Sequence, residues 1–73
     1  MERNIEIPVW KKINLTPEEA SAYSNIGINR IRTMLDKPNC PFILFVGNRK
    51  LIKRKEFEIY LSNQTTVWYL IKL

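Results

Sequence analysis

With 73 residues, 45% of them hydrophobic, the chain has material for one small core and none for a second, and a domain of this size buries only about 60% of its unfolded surface. One cysteine and no histidine exclude an intramolecular disulfide and leave too few ligands for a zinc site. Twelve Lys and Arg against seven Asp and Glu give a net charge of +5, which points to a polyanionic partner, nucleic acid ahead of an anionic membrane.

The placement of that charge says more than its size. Residues 1 to 36 carry equal numbers of basic and acidic side chains, and the excess falls after them, with Arg49, Lys50, Lys53, Arg54 and Lys55 crowded into one window. The N-terminal stretch MERNIEIPVW lacks an apolar segment of signal-peptide length, and the longest apolar run, Phe42 to Val46, is far too short to span a bilayer. A lone thiol suits a reducing compartment, so the expected location is the cytoplasm, with no membrane contact.

Residues 1 to 8 alternate charged and apolar groups up to Pro8 and read as a loose arm. Val9 to Leu15 (VWKKINL) reads as a short edge strand with Lys11 and Lys12 facing water and Trp10 covering the core. Thr16-Pro17-Glu18-Glu19 is a helix start: Thr16 caps, Pro17 fits the first helical position and Glu19 completes a T-x-x-E capping box. That helix runs to about Ser24, with Ala20 and Tyr23 on one face. Asn25-Ile26-Gly27-Ile28 forms a turn in which Ile26 plugs the core and Gly27 supplies the backbone freedom for the reversal.

A second helix is expected from Ile28 to about Lys37. At 100° per residue Ile31, Met34 and Leu35 share one side, Asn29 and Thr33 lie opposite, and Arg30, Arg32 and Asp36 flank them. Short polar groups between arginines suit base edges: Asn pairs with adenine, Arg with guanine or phosphate, and Thr bonds a base or touches a thymine methyl. An ordinary amphipathic helix with a wet side has the same pattern. Pro38 and Pro41 end the helix, and Cys40 is a bystander in the connection.

Phe42 to Val46 and Arg49 to Lys53 flank Gly47-Asn48, a hairpin signal, with Gly47, Asn48 and Arg49 at the tip. A hairpin behind two helices and a turn makes a winged helix, whose wing tip carries Arg49 and Lys50 toward a phosphate backbone or narrow minor groove. Lys53, Arg54 and Lys55 open a third helix with Phe57, Tyr60 and Leu61 as its buried stripe. Cations there oppose the helix dipole, which favours phosphate binding as the reason for them. The tail from Ser62 to Leu73 is apolar and strand-forming at Thr65 to Ile71, either packing as core or mediating self-association.

Site chemistry for catalysis is thin. The only glycines, Gly27 and Gly47, cannot build a phosphate-cradling loop, and Glu18, Glu19, Glu56 and Glu58 are explained by helix starts. No catalytic residue, metal, cofactor or small-molecule substrate is expected.

The segments PVWKKINLTPEEASAYSNIG, NRIRTML and GNRKLIKRKEFE, in that order and spacing, resemble the excisionases of conjugative transposons and prophages over about residues 7 to 61. That resemblance implies an α+β fold, a small winged helix-turn-helix of the MerR-like and excisionase-like kind, in a single domain with its core at about 9–61. It also implies a protein that binds and bends double-stranded DNA at the ends of a mobile element, catalyses nothing, and directs a tyrosine-family integrase toward excision. Several copies are expected to act on repeated sites, with cooperative self-association on DNA. The family's recognition-helix positions fall on Ile28, Asn29, Arg30, Arg32 and Thr33, and its wing on Asn48, Arg49 and Lys50. From the residues alone, a winged-helix transcriptional regulator and a protein-interaction module using the C-terminal strand remain open.

Overall fold

Pro8 begins a tight turn that breaks up the expected N-terminal strand. In the computed structural model, which describes residues 6–65, Val9–Lys11 is a 3₁₀ turn, closed by the amides of Lys11 and Lys12 on the carbonyls of Pro8 and Val9 at 2.9 and 3.1 Å. Local hydrogen bonding thus overrides the β preference of Val9 and Trp10, and only β1, Asn14–Leu15, remains as strand. Trp10 does not cover the core as expected; the turn leaves it 61% exposed. The arm up to residue 5 and the apolar tail from residue 66 lie outside the described residues.

Helix α1, Pro17–Ser24, begins as its sequence dictates. The Glu19 amide donates to Thr16 Oγ1 and the Thr16 amide donates to Glu19 Oε1, each at 3.0 Å, a complete capping box with Pro17 behind it. Thr16→Ala removes one half and is expected to cost about 1 kcal/mol, read as a lower urea midpoint with an unchanged slope. Burial pushes the Glu19 carboxyl up, but its bonds to Lys12 and Thr16 outweigh this and hold it below its ordinary value. The stability it contributes is therefore complete above the ordinary carboxylate range and lost as pH falls through the lower folded value. Glu19→Gln, which keeps an acceptor without the charge, is expected to flatten that acid dependence in urea titrations.

The reversal between the helices differs from the expected one. Asn25 takes the left-handed conformation at φ 63°, which Asn tolerates, whereas Gly27 sits at φ −58° and serves as the N-cap of α2, Ile28–Leu35. Ile26 packs against the core as expected. Helix α2 stops at Leu35, short of Lys37, where the Asp36 amide closes on Arg32 O at 3.1 Å ahead of Pro38. Ile31, Met34 and Leu35 are buried, the side its periodicity assigned.

Strand β2, Ile43–Val46, and strand β3, Arg49–Lys53, form an antiparallel hairpin, and β1 joins the other edge of β3 to give the order β1-β3-β2. Gly47, at φ 62°, supplies the positive angle that a two-residue hairpin turn needs at its first central position. Helix α3, Arg54–Ser62, follows directly. Phe42 lies just ahead of β2 and is 1% exposed, with Phe57 and Tyr60 edge-on to it at ring-centroid distances of 5.1 and 5.2 Å. Leu15, Ala20, Ile31, Met34, Leu35 and Ile52 complete this core, which fixes the helix pair on one face of the sheet. Cys40 packs partly against it, and burial pushes its thiol up, away from reactivity. Among the described residues the result is an α+β fold of three α-helices and a three-stranded sheet, a small winged helix.

Candidate nucleic-acid interface

With Ile31, Met34 and Leu35 committed to the core, α2 turns Asn29, Arg30 and Arg32 to solvent, with Thr33 half-exposed between them. Ile28 is half-buried at the helix start. Asn29 and Arg30 have no side-chain hydrogen bond among the described residues. The Thr33 hydroxyl donates to Asn29 O at 2.9 Å, which leaves an oxygen lone pair and the methyl group for a partner. Arg32 is engaged: one guanidinium nitrogen lies 3.3 Å from Glu18 Oε2 on α1, with both side chains exposed. Such surface pairs are worth at most about 1 kcal/mol, so a phosphate can replace the carboxylate at little cost.

The wing stands beside the C-terminal end of α2. Lys50 Nζ lies 3.1 Å from Asp36 Oδ1 at the helix cap, an exposed pair that ties hairpin to helix. Arg49 is fully in β3, opposite Val46, so the turn itself is only Gly47-Asn48. Asn48, Arg49 and Lys50 are all exposed. Two cations and an amide at a protruding hairpin end, next to a polar helix face, are an arrangement suited to a duplex with the helix in one groove and the wing over the adjacent backbone.

The three cations at the start of α3 line one cleft of about 310 Å³ with Ile13, Asn14 and Leu44, but they differ in exposure and partners. Lys55 is exposed, and Lys53 is half-buried on the sheet face opposite Ile52. Arg54 turns inward: its Nε donates to Lys12 O at 2.6 Å, and Nη1 donates to Glu58 Oε2 at 3.0 Å. Glu58 also accepts from the Tyr23 hydroxyl, and that bond together with Arg54 holds its carboxyl below the ordinary value. Lys12, in turn, pairs with Glu19. Arg54 thereby joins α3 to α1 and to the segment before β1, a fastening that uses two of its three guanidinium nitrogens. Arg54→Lys keeps the charge but loses the planar fork, and is expected to lower stability by about 1–2 kcal/mol with little change in the salt dependence of DNA binding. Thermal unfolding and salt titrations separate the two effects.

Sequence reasoning missed two features of this surface. Glu18 and Asp36 neutralise two of the proposed DNA ligands in the free protein, a role hidden behind their value at helix ends. Phe45 on the wing is 63% exposed, although it belongs to the apolar run Phe42 to Val46. Alternation along β2 already put it on the opposite face from Leu44, which is the signal that could have singled it out.

Residues 2–67 match the family described as excisionase from transposon Tn916. The chain is also similar to an excisionase from transposon Tn916 of Streptococcus agalactiae serotype V, with 42% identity over 57 residues that cover 77% of this chain and 85% of that protein. No solved structure gives a significant match. None of the described helices is long and apolar enough to cross a membrane.

Proposed function

The chain belongs to the family of the Tn916 excisionase, DNA-binding excision factors, and from that premise we propose that it binds and bends the ends of a mobile element and steers a tyrosine-family integrase toward excision. The supporting observation is the pairing of an outward helix face, with Asn29 and Arg30 free among the described residues, with a wing that presents Arg49 and Lys50 beside the same helix. In this reading α2 enters the major groove, where Asn29, Arg30, Arg32 and Thr33 meet base edges and Ile28 packs at the groove entrance. Asn48, Arg49 and Lys50 grip the backbone across the adjacent minor groove, and Lys53 and Lys55 add phosphate contacts at the start of α3.

Glu18 and Asp36 act as resident counterions. On double-stranded DNA a base edge takes over Arg32 and a phosphate takes over Lys50, and the carboxylates return to water, so binding exchanges ion pairs rather than creating them from bare charge. The gain comes from released counterions, which makes affinity fall steeply with salt. Several copies on neighbouring repeats would add their bends, and self-association on DNA follows from that arrangement.

The test is an excision reaction reconstituted with the element's integrase and its end DNA, with and without this protein, alongside fluorescence anisotropy on end-derived and scrambled duplexes. The expected result is tighter binding to end DNA and product formation that depends on the protein. Equal affinity for both duplexes at every salt concentration, with no effect on product, would overturn the proposal.

A further inference from the structure

Phe45 and Val46 stand side by side at the end of the cationic wing, 63% and 47% exposed, an apolar pair set opposite Lys50 and Arg49. The position of Phe45 follows from the register. Ile43 pairs with Ile52 on the core face of the hairpin, and the next pair on that face, two residues further out, is Phe45 with Lys50. The inner pair is packed: Ile52 is fully buried and Ile43 sits against the core. The outer pair has run past the core into solvent. The contact of Lys50 with Asp36 shows that this face is the one turned toward the end of α2. Val46, opposite Arg49, lies on the other face of the wing and is 47% exposed, so the hairpin end is apolar on both sides and cationic along its outgoing strand.

We propose that Phe45 is a DNA-contacting wedge: with α2 in the major groove, the wing lays Phe45 into the minor groove against a sugar and base step, where it opens the step and bends the duplex. The occupant is fixed by charge. Lys50 is the ring's cross-strand neighbour and Arg49 stands one residue away on the other face of the wing, so both sides of the hairpin end call for a polyanion, and a duplex groove offers an apolar floor between two phosphate rails. Apolar side chains of this type partially unstack a base step and kink the helix toward the major groove, which is the side that α2 occupies. The inference rests on the DNA-binding reading above and adds to it the source of the bend.

The experiment uses the full chain and a set of duplexes tiled across the element ends, each carrying a donor and an acceptor dye at its two termini. For the duplex bound most tightly, Phe45→Ala is expected to weaken affinity about tenfold, the scale of one large apolar group left uncovered, and to return the end-to-end distance toward that of free DNA. The slope of affinity against salt should not change, because no charge is removed. Phe45→Leu keeps an apolar wedge and should keep most of the bend. Since Phe45 lies outside the core, the thermal midpoint should hold; Phe45→Thr, which favours the strand conformation, repeats the measurement if the alanine variant is unstable. A Phe45→Ala variant that binds and bends as the parent does overturns the inference, and so does a loss of affinity with the bend intact. A parent that binds but leaves the duplex straight also overturns it, while DNA binding itself stands. A parent that binds no duplex at low salt overturns the DNA-binding reading as well.

Discussion

Phe57→Ala is expected to leave a large fraction of the chain unfolded even without denaturant. Phe57 is fully buried, reaching from α3 to meet Phe42 edge-on beneath the sheet. Truncating a buried Phe costs about 3–5 kcal/mol, from lost transfer energy plus the cavity left behind. A domain of 73 residues has about 4–11 kcal/mol in total, and small domains lie toward the low end because so little of their surface is buried. The loss therefore removes much of the margin. Ile59→Ala makes the internal comparison: two residues along the same helix it is 61% exposed, and its removal is expected to stay within about 0.5 kcal/mol. Thermal and urea unfolding followed by circular dichroism reads both. A Phe57→Ala variant as stable as Ile59→Ala would mean that α3 is not anchored through this ring.

The features legible in the sequence were those set by neighbours in the chain. The Thr16–Glu19 box, the Gly47-Asn48 turn and the buried side of α2 each depend on residues a few positions apart, and local sterics and periodicity decide them. What was hidden depends on distant partners. Nothing local tells that Arg54 turns inward, because the carbonyl it binds belongs to Lys12, 42 residues away, and its carboxylate is itself shared with Tyr23. Trp10 was misplaced because hydrophobicity states that a side chain gains by burial but not that the backbone can deliver it there; the turn after Pro8 cannot. That Asn25 rather than Gly27 takes the left-handed conformation has a subtler reason, since glycine permits that conformation without requiring it. At the proposed DNA surface, residue types nominated the ligands, but the ion pairs that occupy Arg32 and Lys50 needed the packing of α1 and the wing against α2.

That occupation separates the roles of the arginines, and the largest functional effects are expected to follow it. Arg30 has no carboxylate partner among the described residues and projects from the outward face of α2, so its fork is available for a guanine edge, whereas Arg49 stands exposed on the wing, which the proposed docking sets against the phosphate backbone. Arg30→Ala is expected to weaken binding to the end-derived duplex by about 1–3 kcal/mol while barely changing affinity for scrambled DNA. Arg49→Ala should weaken both duplexes alike and make the slope of log affinity against log salt shallower by about one. Arg32→Ala falls between them, because removing it also frees Glu18 to repel the phosphates it had been balancing. Glu18→Gln isolates that contribution: affinity for any duplex should rise, and the discrimination between duplexes should shrink, if the pair holds Arg32 for the correct groove. Anisotropy titrations at several salt concentrations measure all four variants together. Equal losses on both duplexes for Arg30→Ala would move base reading off α2, and the wing would then have to carry specificity as well as grip.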